Sequence, residues 1–540
     1  MPKPSGCSPW AQKACLLLTI VFGLVYLAPF VNYQPFLSTG DHGLNLYNAR
    51  AVLAGQRPYH DFHWFYGPLM LYYSAFCLKI FGIGIQGILM GSVILKLISG
   101  LLVFALCSLY ISPFLAFGAA AWFWLFNFDF FYTYNHTGGI TLSLAVLYCL
   151  FLHFKSDRLR YLILGSLACA GLGMIKVNLG FCGIFCLNAG AVLNRLIVQK
   201  KFSPGLTYYL AASSLVLPVF VIAANWMFII GLPFYVIRQC YQYFGNDTQA
   251  WEYTSPLQAV VKLKDYLVGR VGPHKDLAAF SLASAGALIF FVIQTARSFK
   301  RPEHQREGLL VITTVVMFTV CFLHEYLLSG VIFRAFWAQP FLFVLMFLSI
   351  GLAAAPFPRR VQSIVFLILF ALIGTRGAQK TVLINSLKNR DQFLALERAN
   401  IYVGNSHDWI YTVTRAARYL EKNLGPDDSI FVLPYDPLYY FLLDKPSPTR
   451  QLAILSFVNI PDEQERSIVD DLKKNKPQWV LLSNRAAADL QGTGQLGVTY
   501  GKMIGQYIKE NYSVEKEFGN WDGVAGWTSN HAVRILRRTP

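Results

Sequence analysis

Residues 14–31 read ACLLLTIVFGLVYLAPFV, and residues 40–69 read GDHGLNLYNARAVLAGQRPYHDFHWFYGPL. The first stretch carries no charge and is long enough to enter a bilayer core of about 30 Å, where backbone N–H and C=O groups must bond within the segment and so favour a helix. Lys3 and Lys13 precede it and no small-residue cleavage site follows, so it reads as a retained first span rather than a signal peptide. The second stretch is polar, aromatic and punctuated by Gly55, Pro58, Gly67 and Pro68, and it separates the first span from the next.

The same contrast repeats along the chain. Of 540 residues 55% are apolar and 14% are charged, well below the roughly 25% charged usage of soluble domains. The pattern predicts a polytopic α-helical membrane protein of about eleven spans, near residues 14–31, 84–110, 113–127, 138–154, 160–176, 178–198, 206–230, 277–297, 308–325, 331–354 and 361–377. The net charge of +17 does not form one basic stripe, which excludes a nucleic-acid partner. The Lys and Arg residues cluster in alternate gaps instead: Lys155, Arg158 and Arg160; Arg195, Lys200 and Lys201; Arg297, Lys300, Arg301 and Arg306; Arg359 and Arg360. By the positive-inside rule those gaps and the N-terminus are cytoplasmic. The loop 32–83, the segment 128–137, the loop 231–276 and everything after about 378 then lie outside. Most cysteines sit inside apolar runs and read as small buried residues, not as a disulfide framework or a zinc set.

After residue 377 the chain becomes polar and mixed in charge. Trp409, Val413, Ala416, Ala417 and Leu420 share one helical face, and Gly425-Pro426 ends that helix before the strand-like Ser429–Leu433. Ser467–Lys474 and Ile504–Asn511 read as helices, and Trp479–Leu482 and Ala532–Leu536 as strands. The reading is therefore a transmembrane region over 1–377, with loop 32–83 as its polar rim, and a compact extracytoplasmic α/β domain over 378–540.

The polar rim resembles the first outer loop of polytopic glycosyltransferases of the GT-C type that use lipid-phosphate sugars, the glycosyltransferase family 39-like class that includes protein O-mannosyltransferases and the lipid A aminoarabinose transferase. The residues that carry the likeness are Asp41, Tyr47, Ala49, Gly55, Pro58, Tyr59, Asp61, Gly67 and Pro68. A second resemblance lies in Gly425–Leu442, which is similar to the start of the soluble domain of bacterial members. The resemblance implies a GT-C-like fold, a polyprenyl-phosphate-sugar donor and a glycan, lipid or protein acceptor. It also implies a site in the cell inner (plasma) membrane facing the periplasm or exterior. Where many members carry a second acidic residue after the first, this chain has His42, so no carboxylate pair for a metal stands there. A divalent metal is compatible with the chemistry but not demanded by it.

Asp41 reads in two ways, as a helix N-cap or as the carboxylate that orients or deprotonates an acceptor hydroxyl. Asp129, in the aromatic segment between spans three and four, is an ionisable group at membrane depth and so faces a cavity or a partner; the resemblance, whose members carry a second acidic motif in this loop, implies that it is the second acid. His42, Tyr59 and Asp61 are placed behind these, with Asp61 bonding the backbone of the Pro58–Asp61 turn. The phosphate released in the reaction needs fixed cations, for which Lys176, Arg270, His274 and Arg334 are the candidates. The rival readings are a transporter or flippase of lipid-linked sugars and a non-catalytic cell-envelope assembly subunit. No internal repeat of the kind transporters show is evident.

Overall fold

A computed structural model describes residues 9–126, 134–199, 203–234, 236–237, 304–329, 332–354, 358–380, 392–455, 460–486, 494–526 and 529–540, with isolated positions at 258, 261, 286 and 289. Ten of the eleven expected spans coincide with helices, and the span expected at 277–297 lies outside the described residues. These helices are α1 (Pro9–Leu27), α4 (Ile85–Ser108), α5 (Pro113–Phe126), α6 (Tyr134–Ser156), α7 (Leu159–Ile175), α8 (Val177–Asn194), α9 (Pro204–Ile229), α10 (His304–Phe322), α12 (Gln339–Ala354) and α13 (Arg359–Lys380). Five segments, Pro9–Val31, Ile85–Ser108, Asn135–Ser156, Val177–Gln199 and Pro204–Ile229, are long and apolar enough to cross a membrane, and the chain is a multi-pass membrane protein.

Their outward surfaces expose Leu17, Val25, Leu167, Leu215, Val219 and Met227, side chains that only an apolar surrounding accommodates at that density. Inside, α6 packs on α4, α7 and α8, while α5 packs on α1, α4, α12 and α13. Their shared core holds Trp122, Trp124, Phe318, Phe341 and Phe347, all fully or almost fully buried.

Sequence and structure differ at 331–354, where one span was expected. A 3-10 turn over Ile332–Trp337 precedes α12. Pro340 accounts for the break, because it lacks the N–H that a continuous helix would bond to the Phe336 carbonyl yet fits the first turn of a helix.

Loop 32–83 is itself structured. It holds β1 (Tyr33–Gln34), α2 (Asp41–Leu53) and α3 (Leu69–Phe81). Ser38 starts α2, its Oγ accepting the backbone N–H groups of Gly40 and Asp41 at 3.1 and 3.3 Å.

The chain after residue 391 forms β2 (Tyr402–Val403), α14 (His407–Asn423), β3 (Ile430–Leu433), α15 (Leu438–Leu443), α16 (Asp462–Asn475), β4 (Trp479–Ser483), α17 (Lys502–Asn511), β5 (Tyr512–Phe518) and β6 (Val533–Arg538). β3, β4, β6 and β5 make a four-stranded sheet in that order, parallel between β3 and β4 and antiparallel elsewhere. Helix α14 begins with the Ser406 hydroxyl accepting the Trp409 N–H, and it buries Trp409, Val413, Ala416, Ala417 and Leu420. Strand β5 was not expected from sequence. It is an edge strand whose YSVEKEF side chains are mostly exposed, so no apolar alternation marks it.

Loop 32–83 and this sheet region meet directly, on one side of the helical bundle. β1 pairs with β2 in parallel, Asn405 exchanges two hydrogen bonds with Leu37 at 2.9 and 2.7 Å, and Tyr47 Oη accepts the Ser447 N–H at 2.9 Å. α2 lies on α15 so closely that a Cβ at Gly43 would sit 2.2 Å from the Leu438 backbone nitrogen. Backbone cannot retreat as a side chain can, so Gly43→Ala is expected to cost about 1–3 kcal/mol, read as a fall in thermal unfolding temperature in detergent. An unchanged melting curve would show that the two elements separate freely.

His531 gives a second measurable property. Its ring is buried beside Trp409 and Tyr439, with Nε2 3.1 Å from the Tyr439 hydroxyl. Burial drives its pKa down to about 4, with the Asp436 carboxylate opposing and Arg485 adding to the fall. The unfolded chain therefore binds a proton that the folded chain refuses between about pH 6.5 and 4, so stability is complete above that window and is lost as pH falls through it, by on the order of 3 kcal/mol. Chemical denaturation at pH 7 and pH 5 measures this, and His531→Gln flattens the dependence if His531 is its source.

Candidate functional site

Asp41 is the first residue of α2, not its cap. Gly40 occupies the cap position and Ser38 Oγ accepts the first backbone N–H groups, so the Asp41 carboxylate does not cap its own helix. Its Oδ1 accepts the hydroxyl of Tyr435 at 2.7 Å, from just beyond β3, and the helix N-terminus favours a negative charge at this point. His42 turns the other way and is buried. Its Nδ1 accepts the Ser38 N–H at 3.0 Å and its Nε2 lies 3.2 Å from the Gln34 amide, so it braces the strand that leads into Asp41.

Tyr59 and Asp61 shape the far end of the loop. Tyr59 takes a left-handed conformation (φ 67°), is fully buried, and donates its hydroxyl to the Tyr66 carbonyl, while its own carbonyl accepts Arg450 Nε at 2.8 Å. The exposed Asp61 carboxylate accepts the Arg57 N–H at 2.6 Å, closing the turn through Pro58. Beyond it, Gly67 donates its N–H to the Ile175 carbonyl at 2.9 Å, and a Cβ there would lie 2.1 Å from the Met174 carbonyl oxygen. That close approach sets Tyr66 against the junction of α7 and α8.

Lys176 is that junction. It is the single extended residue between two helices (φ −155°, ψ 119°), ending α7 and capping α8. Its buried Nζ stands 2.8 Å from Glu325 Oε1 and 5.9 Å from the Tyr66 ring centroid. Glu325 belongs to α11 (His324–Ser329), a short helix after α10, and also accepts Asn178 Nδ2 at 2.9 Å. Asn178 in turn lies 2.6 Å from His324 Nε2. Arg334, on the turn before α12, and His136, near the start of α6 with its ring 4.1 Å from Phe336, complete the group.

Tyr66 is where these charges converge. Desolvation pushes its phenol pKa up, the Asp41 carboxylate adds to this, the Arg334 guanidinium opposes it and the Glu325 carboxylate adds again. His136 lies within electrostatic reach of Lys176, Glu325, Arg334 and His42. The site therefore joins one carboxylate held at a helix start to two cations and a second carboxylate. This arrangement can hold an anion beside a group able to accept a proton.

Of the residues predicted from sequence, Asp41, Lys176 and Arg334 lie within electrostatic reach of Tyr66, and His42, Tyr59 and Asp61 shape the loop that carries Asp41 and Tyr66. Asp129, Arg270 and His274 lie outside the described residues. Glu325, Tyr66, His136 and Tyr435 were not singled out from sequence. Glu325 carried a usable signal, an acidic residue at the end of an apolar run; Tyr66 was indistinguishable from other aromatics at a membrane boundary, and Tyr435 was marked only by its place in the Gly425–Leu442 stretch. Among the described residues, no group of three His, Cys, Asp or Glu side chains is placed to hold a metal ion.

A buried network anchors Tyr435. Asp436 next to it pairs with Arg485 at 3.0 Å, accepts the Ser483 hydroxyl at 2.6 Å and accepts the Thr39 hydroxyl, two residues before Asp41. Arg485 also donates to Thr39 Oγ1 at 3.0 Å and to the Tyr435 carbonyl at 3.1 Å.

No family model matches the sequence, and no curated protein matches it. Solved structures do resemble it. ArnT from Cupriavidus metallidurans bound to undecaprenyl phosphate superposes with a TM-score of 0.54 at 12% identity, over 98% of this chain and 98% of that one. The archaeal oligosaccharyltransferase AglB from Archaeoglobus fulgidus, in complex with an inhibitory peptide and a dolichol-phosphate, superposes with a TM-score of 0.51 at 12% identity, over 93% of this chain and 73% of that one. With alignment running nearly end to end against ArnT, the chain has the fold of the GT-C membrane glycosyltransferases.

Proposed function

We propose that this protein is a membrane glycosyltransferase that takes a sugar from a polyprenyl-phosphate donor and passes it to a hydroxyl on a glycan, lipid or protein. The observation that carries the reading is that Asp41, Lys176 and Arg334 lie within electrostatic reach of Tyr66, in a fold of which two solved examples are bound to a polyprenyl phosphate. The acceptor oxygen attacks the anomeric carbon, its proton passes to the Asp41 carboxylate, and the bond from that carbon to the phosphate oxygen breaks with its electron pair staying on the lipid phosphate. Lys176 and Arg334 hold that phosphate and offset the charge it gains. Asp129 assists as a second acid, and Arg270 and His274 are further phosphate contacts on the same reading. On this reading the site faces the outer side of the cell inner membrane, with the N-terminus cytoplasmic and the 378–540 domain periplasmic or extracellular, which the distribution of Lys and Arg supports.

The test uses purified full-length protein in nanodiscs with undecaprenyl-phosphate-linked pentoses and hexoses carrying ¹⁴C in the sugar, and an alkyl glycoside or water as acceptor. Label leaving the lipid marks an enzyme; label that stays on the lipid for every donor fits a flippase or an assembly subunit instead. Arg334→Gln is expected to weaken undecaprenyl phosphate binding by about 10-fold, the scale of one lost charge-assisted contact, measured by thermal shift against lipid concentration. Equal affinity would remove Arg334 from the phosphate site.

A further inference from the structure

Tyr435 comes from the region after β3, far from the membrane helices in sequence, yet its hydroxyl is the group that meets Asp41 Oδ1, at 2.7 Å. Three features make this a built contact. The ring is buried, with 4% of its surface exposed. Its carbonyl accepts Arg485 Nη1, and the next residue, Asp436, is tied to Arg485, Ser483 and Thr39. Thr39 is in turn fixed on the Asp41 side, where its carbonyl accepts the Leu438 N–H at 3.0 Å. One rigid polar network therefore positions both partners of the Tyr435–Asp41 bond. Its deepest members, Asp436 and Arg485, are almost fully buried.

A carboxylate has two oxygens and two free torsions. A fixed O–H donor on one oxygen restrains both torsions and so fixes the orientation of the whole carboxylate. We infer that Tyr435 is a positioning residue for the sugar-transfer reaction: its hydroxyl, bonded to Oδ1, fixes the orientation in which the Asp41 carboxylate meets the acceptor hydroxyl. The region after β3 thereby contributes a side chain to the active site. This inference rests on the glycosyltransferase reading and on Asp41 as the proton acceptor.

The full-length protein in nanodiscs is assayed with the ¹⁴C donors named above, comparing wild type, Tyr435→Phe, Asp41→Asn and the double variant. Tyr435→Phe is expected to lower kcat by about 10-fold or more, with donor KM, undecaprenyl phosphate affinity and thermal unfolding temperature unchanged. In the Asp41→Asn background the same change is expected to add nothing, because the carboxylate it positions is gone. A merely structural role would lower the unfolding temperature and add equally in both backgrounds. An active wild type with an equally active Tyr435→Phe variant, or full additivity, overturns the inference and leaves the glycosyltransferase reading standing. A wild type that releases no label from any donor overturns that reading, and the role of Tyr435 in turnover with it.

Discussion

Asp41→Asn is expected to reduce sugar release from a polyprenyl-phosphate donor by about 10²–10⁴-fold, the contribution of a positioned proton acceptor, while leaving fold and lipid binding intact. The substitution is nearly isosteric, and the amide oxygen still accepts the Tyr435 hydroxyl, so the contact between α2 and the β3 region survives. Ser38 caps the helix, so no cap is lost either. What disappears is the negative charge and its capacity to take a proton. The change should therefore fall on kcat, with undecaprenyl phosphate affinity held by Lys176 and Arg334. Turnover equal to wild type would show that Asp41 is not the proton acceptor, and a collapse in unfolding temperature would show that its role is structural.

Asp436→Ala is expected to be the most destabilising change in the soluble region, by about 3–5 kcal/mol. Asp436 and Arg485 pair at 3.0 Å with side-chain exposures of 0% and 1%. Removing one partner strands a buried guanidinium and also strips acceptors from the hydroxyls of Ser483 and Thr39. The cost comes from the charge left behind more than from the lost attraction, because a buried pair contributes little net stability. Replacing both groups by apolar ones, as in Asp436→Leu with Arg485→Met, should therefore recover much of the loss. Denaturant unfolding in detergent followed by tryptophan fluorescence distinguishes these cases. If Asp436→Ala unfolds with the wild-type midpoint, the network is not under the strain of burial that its geometry implies. Because the same network fixes Thr39 and Tyr435, Asp436→Ala is also expected to lower turnover, and the apolar pair is not expected to restore it.

The sequence determined by itself whatever follows from local solvent preference. Chain that enters a bilayer must satisfy its backbone within the segment and present apolar side chains outward, so ten expected spans coincide with helices. The stop at Gly425-Pro426 and the helix of Trp409–Leu420 were equally legible, because turn geometry and helical period are written within a few residues. Asp41 and Lys176 could be named as candidates from residue type and position alone. Tertiary structure decided the rest. Tyr435 meets Asp41 across 394 positions and Arg485 meets Thr39 across 446, and no period or spacing encodes pairings at that range. The Lys176–Glu325 pair depends on a one-residue turn between α7 and α8 and on a short helix after α10 arriving at the same depth. That Oδ1 of Asp41 is held by Tyr435 depends on the packing of the region after β3 against the first loop, and only the folded chain contains that information.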